Sequence, residues 1–193
     1  MFIKNIKLYL SLLICLFNFG CAAVAVGAVV VASTGATVAT DPRNVGVVLD
    51  DKSIQRKLEN IYSGYRDSNI YVNSYNGSVL LTGQVATQAM KESAAFEARA
   101  MPGVKQLYNY LDVRLPQSFA SISRDSYTTT QVRAKLLNIN DLNSNDVKVI
   151  TTNDVVYLFG VVTIAQGQEV ANAAASVNGV SKVLTLFEYV TVK

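Results

Sequence analysis

Histidine and tryptophan are absent from the 193 residues, and only two cysteines and three prolines occur. Without histidine there is no imidazole to act as general base, proton relay or metal ligand. Histidine-based triads and the usual zinc sites are therefore excluded. The carboxylates do not cluster at ligand spacing, and neither a G-x-x-x-x-G-K-S/T loop nor a G-x-G-x-x-G run is present to cradle phosphates. No enzyme activity, metal or cofactor is expected. Charge is also sparse. Seventeen basic residues against 14 acidic ones give +3, without the basic stripe that nucleic acid demands, so nucleic acid is not an expected partner.

What is present begins with KNIKLYLSLLICLFNFGCAAVAVG, residues 4–27. Lys4 and Lys7 precede an apolar run from Leu8 to Phe17 broken only by Ser11, the layout of a secretory signal. A spanning helix from Leu8 to Val31 is the alternative, but it needs about 20 predominantly apolar residues, and Asn18 and Gly20 interrupt it. Asn18-Phe19-Gly20-Cys21 ends as a bacterial lipoprotein box ends, in a cysteine that becomes the acylated first residue. Gly20 is the small residue that cleavage needs, whereas Asn18 departs from the usual aliphatic one. The reading is a lipoprotein signal over 1–20, lipidation at Cys21, and an acylated cysteine plus flexible tether over 21–50. A buried free thiol is the other reading of Cys21. Losing the leader and its two lysines leaves 173 residues with 15 basic and 14 acidic. One cysteine then remains, so no intrachain disulfide forms, although an oxidising periplasm is compatible with the chain.

Beyond the Ala/Val-rich tract 22–40, DPRNVGVVLDD (41–51) brings charge, and the chain then says the same thing twice. Ile54, Leu58 and Ile61 mark a helix over Asp51–Tyr62, with Asp50 and Asp51 as helix-start charges suited to the positive end of its dipole. Two β-rich runs flank Asn76-Gly77, a strong hairpin signal. A second helix runs from Thr87 to Met101, stopped by Pro102-Gly103, and a third strand over Val104–Leu115 places Leu107, Asn109, Leu111 and Val113 on one side. The second copy starts at Asp125, with Val132 and Leu136 on its helix, Asn153-Asp154 at its hairpin, a helix from Thr163 to Val177 and a last strand from Lys182. Asn76 and Asn153 are 77 apart, as are Gly83 and Gly160, and Gly103 and Gly179 are 76 apart. A duplicated module follows. The fold class is α+β: two tandem αββαβ modules, each a small mixed sheet covered by two helices. Their bounds are 51–115 and 125–193, joined by a short linker, 116–124. Modules of this size bury little core alone, so either the two pack on each other or each packs its helices tightly on one sheet face.

The repeat, with GSVLLTGQV and DVVYLFGVV each leading into a helix and then a Gly-Val step (Gly103-Val104, Gly179-Val180), resembles the BON domain. Two such domains behind an acylated cysteine, an Ala/Val tether and a DPR-x-VG segment (41–46) resemble the dual BON-domain outer-membrane lipoproteins. The resemblance implies a non-enzymatic protein facing the periplasm that binds anionic phospholipid, associates with the division site and supports outer-membrane integrity. Ala22, not Asp, follows the cysteine, which favours the outer membrane.

One helix offers a place to touch lipid. On a wheel of the second copy's first helix, Val132 and Leu136 point to the core, while Tyr127, Thr130, Ala134 and Leu137 lie on the opposite side. A helix covering a small sheet needs one apolar face, and this one has two. Arg133 lies beside the second face and Arg124 precedes the helix. Tyrosine suits a membrane interface, and an arginine fork suits a lipid phosphate. The candidate phospholipid-binding set is thus Tyr127, Thr130, Arg133, Ala134 and Leu137. Two other readings stand. Tyr127 and Leu137 pack on the first module, or their face docks an envelope protein and the chain is an interaction adaptor. The first copy's helix carries Gln55, Lys57 and Glu59 on its back, a solvated face. Anchorage by acyl chains, about 0.8 kcal/mol per buried CH₂, and a tether spanning about 30 Å leave such a patch to decide orientation and lipid preference.

Overall fold

A computed structural model describes residues 44–140, 142–143 and 146–191. The expected leader, Cys21, the 22–40 tract and residues 41–43 lie outside the described residues. Residues 41–193 form one compact unit.

The first module runs α1 (Val45–Tyr62), β1 (Asn69–Tyr75), β2 (Ser78–Val85), α2 (Gln88–Ala100), β3 (Gln106–Val113); the second repeats it as α3 (Phe119–Leu136), β4 (Val147–Thr152), β5 (Val155–Val162), α4 (Ile164–Ala175), β6 (Lys182–Tyr189). In each, the hairpin is antiparallel, and the strand after the crossover helix adds parallel to the middle strand. The hairpin turns require positive φ at both central residues. Asn76 and Gly77 sit at 52° and 78°, and Asn153 and Asp154 at 54° and 62°. The repeated glycines of the middle strands have a steric reason. A Cβ at Gly83 would lie 1.9 Å from the Asn69 carbonyl oxygen, and one at Gly160 would lie 2.6 Å from that of Asp146.

Each sheet buries one face under its own helices. Ile54, Leu58 and Tyr62 of α1 and Ala94 and Ala98 of α2 cover Val72, Val79, Leu81, Val85 and Leu111. Val132, Leu136, Val170 and Ala174 do the same over Val147, Val149, Val156, Leu158 and Val162. The buried stripe of α2 is made of alanines, Ala94 and Ala98, with Met90 packed at its start. The other sheet faces meet each other. Tyr75 and Leu80 from the first module pack on Tyr157, Phe159 and Leu186 from the second, and the Tyr75 and Phe159 rings stack 5.9 Å apart. Buried Thr82 and Thr152 bond across the seam, Oγ1 to Oγ1, at 3.1 Å. The result is four layers, helices, sheet, sheet, helices. Both packing alternatives left open by the sequence hold together.

Duplication shows in reciprocal polar ties. The Asn76 side-chain amide donates to both Glu188 carboxylate oxygens at 2.8 and 2.6 Å, and that of Asn153 donates to Asp112 Oδ2 at 3.2 Å. Each hairpin tip thereby reaches the third strand of the other module.

The first helix departs from expectation. It begins at Val45, where the Asn44 side chain accepts from Gly46 N at 2.8 Å. Asp51 is therefore no helix-start charge. It is buried, and its carboxylate accepts from Ser74 Oγ at 2.7 Å, Asn76 N at 2.6 Å and Gly77 N at 2.9 Å. Asp125 plays the same part in the second module, accepting from Asn153 N at 2.9 Å and Asp154 N at 3.0 Å, and from Gln117 Nε2 at 2.9 Å. A carboxylate from the first helix clamps each hairpin turn.

Candidate functional site

The element carrying the sequence-derived site, α3, is built from its ends inward. Ser118 caps it, accepting from Ser121 N at 3.2 Å, and Arg133 and Lys135 occupy its last turn, where cations suit the negative end of the helix. Arg124 does not precede the helix but lies within it, because capping at Ser118 starts α3 six residues ahead of Asp125. Its Nε pairs with Asp154 Oδ1 at 3.1 Å, which spends that guanidinium on the hairpin tip.

At 100° per residue, Asp125, Thr128, Val132 and Leu136 fall within an arc of about 80°, and all four are buried. Tyr127, Thr130, Ala134 and Leu137 fall within a second arc of about 80° directly opposite, and all four are exposed. Tyr127 is 65% and Leu137 is 68% exposed. Neither packs on the first module, so that reading is removed. Arg133 stands beside this arc, exposed, with Nη2 donating to the Val149 carbonyl at 3.4 Å on the outer strand of its sheet. The five residues singled out from the sequence therefore share one open flank.

The sequence reading missed Phe119, 84% exposed. It precedes Leu137 by 18 residues, five whole turns, so both side chains leave the helix in one direction about 27 Å apart. The signal was available, but it required starting the helix at Ser118 and not at Asp125. On α1 the corresponding back face behaves as expected: Gln55 Nε2 donates to Glu59 Oε1 at 2.8 Å, and Lys57 and Glu59 are exposed. Its first turns, however, expose Val45 and Leu49 at 53% and 57%.

No described helix is long and apolar enough to cross a membrane. Among the described residues no group of three or more Asp, Glu, Cys or His is placed to hold a metal ion. Three tyrosines titrate above their ordinary value. Burial raises Tyr62, Tyr65 and Tyr157, with Glu97 adding to the first two and Asp112 to the third. All three serve packing, and none lies on the α3 flank.

Two stretches, residues 50–114 and 124–191, match the BON domain family. The chain is also 40% identical over 189 residues to the outer membrane lipoprotein DolP of Haemophilus influenzae, covering 95% of each. The chain belongs to the dual BON-domain outer-membrane lipoproteins. It is also similar to the 21 kDa hemolysin of Actinobacillus pleuropneumoniae (36% identity, 78% of this chain and 79% of that one) and to the osmotically-inducible protein Y of Escherichia coli (32% identity, 78% of each). The α+β architecture of two tandem αββαβ modules is that of a dual BON-domain protein.

Proposed function

We propose that the protein is held at the periplasmic face of the outer membrane by acylated Cys21, binds anionic phospholipid through the outer face of α3, and thereby supports outer-membrane integrity at the division site without catalysing a reaction. Tyr127, Thr130, Arg133, Ala134 and Leu137 form the binding face. The observation that carries this reading is the exposure of Tyr127 and Leu137 on a helix whose opposite face is fully used in the core. An apolar stripe rimmed by polar side chains marks an interaction surface.

Energetics suit an orienting contact. Full burial of a large apolar side chain contributes about 1.5–3 kcal/mol. Phe119, Tyr127 and Leu137 together would supply several kcal/mol before ordering costs, too little to anchor the protein alone. Acylation would hold the face at high effective concentration over the lipid.

Flotation of a fragment beginning at Asp41 with anionic vesicles tests the reading. Wild type should float. Tyr127→Glu and Leu137→Glu should each lower the bound fraction at least fivefold, with an unchanged circular dichroism spectrum. Binding that survives both substitutions refutes the face. A wild-type fragment that ignores vesicles and retains an envelope protein would replace this reading with that of an adaptor. Mass spectrometry of the mature N-terminus decides the anchor, since an intact Met1 is incompatible with acylated Cys21.

A further inference from the structure

A crevice of about 240 Å³ opens at one end of the seam between the sheets, where β3 of the first module meets β5 and β6 of the second. α3 lies over β4, at the far edge of its sheet from β6, so the crevice is separate from the proposed lipid-binding face. Alternation along the strands points Tyr110 and Asp112 of β3, Tyr157 of β5 and Lys182 of β6 into the seam. Lys91 reaches the same crevice from α2.

Tyr157 is only 5% exposed, yet its hydroxyl, in the crevice wall, bonds to no described residue. A buried polar group ordinarily finds a partner. Burial and Asp112 raise its titration to about 12, so the hydroxyl stays a donor. Lys91 and Lys182 line the crevice without an ion pair to any described carboxylate. Asp112 has an oxygen to spare. Asn153 Nδ2 at 3.2 Å and Arg114 Nη2 at 3.5 Å both meet its Oδ2, while Oδ1 accepts from no described residue. The rest of the wall is apolar. The Tyr110 and Tyr157 rings lie 5.3 Å apart, tilted by 53°, with Tyr110 still 38% exposed, and Val155 and Leu184 add aliphatic surface.

The duplication does not repeat this chemistry. Leu80, Leu186 and Gln106 stand at the positions equivalent to Tyr157, Tyr110 and Lys182, and the two leucines are buried in the shared core. The hydroxyl, the open ring and the ammonium therefore belong to one end of the seam.

Two unpaired ammoniums call for an anion. The Asp112 oxygen beside them calls for a donor and disfavours a second negative charge on the ligand. An open aromatic face with aliphatic surface around it suits the C–H face of a saturated ring. The space falls below the roughly 300–1,000 Å³ of drug-sized sites, which suits a single ring. We infer that this crevice binds one carboxylated pyranose, a sugar acid. Its carboxylate meets Lys91 and Lys182, its hydroxyls donate to Asp112 Oδ1 and accept from the Tyr157 hydroxyl, and its C–H face lies on Tyr110. The site is independent of the lipid-binding reading of α3.

Amide NMR shifts of the acyl-free mature chain, titrated separately with glucuronate, glucose, acetate and glucose 6-phosphate, test the site. Glucuronate should move the amides of Tyr110, Asp112, Asn153 and Lys182 and saturate. Glucose lacks the carboxylate and acetate lacks the ring, so each should bind about tenfold more weakly. Glucose 6-phosphate should also bind more weakly than glucuronate, because its second charge faces Asp112. Lys182→Gln and Lys91→Gln should each cost about tenfold in glucuronate affinity, and Tyr157→Phe about fivefold. Lys182→Arg keeps the charge and should stay within about twofold of wild type. Lys182 is exposed and Tyr157→Phe removes a single atom, so an unchanged circular dichroism spectrum is expected for these variants. No saturable shift with glucuronate, or shifts that avoid these four residues, would overturn the site. Equal affinity for glucose or acetate, or tighter binding of the phosphate, would overturn its assignment to a sugar acid. Wild-type affinity in Lys182→Gln and Lys91→Gln would overturn the role of the lysines.

Discussion

Removing the Asp125 carboxylate is the sharpest test of how the repeat is held together. Asp125→Ala deletes the acceptor for Asn153 N, Asp154 N and Gln117 Nε2. Hydrogen bonds to a charged group contribute about 1.5–3 kcal/mol each, but the turn amides are only partly buried and water recovers part of the loss. A net cost of about 3–4 kcal/mol follows, a large share of the 5–15 kcal/mol typical of a folded domain. For a body of some 150 residues it lowers Tm by roughly 6–15 °C. Asp51→Ala should cost a similar amount, because Asp51 holds Ser74, Asn76 and Gly77 in the same way. Asp→Asn at either site keeps one acceptor oxygen and should cost about half as much. Urea unfolding followed by circular dichroism measures all four variants. A carboxylate acting only on the helix dipole would contribute about 0.3–1 kcal/mol and would weaken with salt. A loss below about 1 kcal/mol at either aspartate, or one that disappears at high ionic strength, would refute the clamp.

Two further outcomes follow from the seam between the modules and from the tyrosines. Phe159→Ala removes a fully buried ring from between the sheets and should cost about 3–5 kcal/mol, with separate unfolding transitions for the two modules in calorimetry; a single transition at wild-type temperature would contradict the shared core. Tyr65 and Tyr157 are both pushed up to about 12 from 10.0, by burial first and by neighbouring carboxylates next. A raised folded value means the neutral ring is favoured in the folded state, so that stability is complete below pH 10 and is lost as pH rises toward 12. Tyr157→Phe should flatten the alkaline limb of the stability curve, as read by ultraviolet phenolate titration alongside urea unfolding.

The elements were legible because their signals are local. Hairpin turns are marked by residues that tolerate positive φ, and helix starts by Thr87 and Thr163. What escaped was not local. Asp51 looks like a helix-start charge because nothing in VLDDKS reveals a hairpin turn 25 residues away that needs an acceptor. The facing of the two sheets was equally hidden, since Tyr75 and Phe159 read as ordinary strand aromatics until their alternation is combined across both modules. The α3 face was legible at Tyr127 and Leu137 because two apolar stripes on one wheel exceed what one sheet can bury. Phe119 was lost with the misplaced start of that helix.

Comparison of the two clamping helices shows where the copies differ. Aligned on Asp51 and Asp125, an offset of 74, the core positions stay buried: Ile54 with Thr128, Leu58 with Val132, Tyr62 with Leu136. The outer positions part company. Tyr127, Thr130, Arg133, Ala134 and Leu137 stand opposite Ser53, Arg56, Glu59, Asn60 and Ser63, all exposed and all polar. The scaffold side of the helix answers to the same sheet in both copies and tolerates only packing swaps. The solvent side answers to nothing inside the module, so tyrosine and leucine there carry a solvation cost that folding does not offset. A face that is wholly polar in one copy carries Tyr127 and Leu137 in its twin, which is what the contact proposed for the second copy requires. Transplanting the five α3 residues onto α1 therefore should create a second vesicle-binding face without altering the core, and failure of that variant to rescue binding in a Tyr127→Glu background would show that the stripe works only beside Phe119.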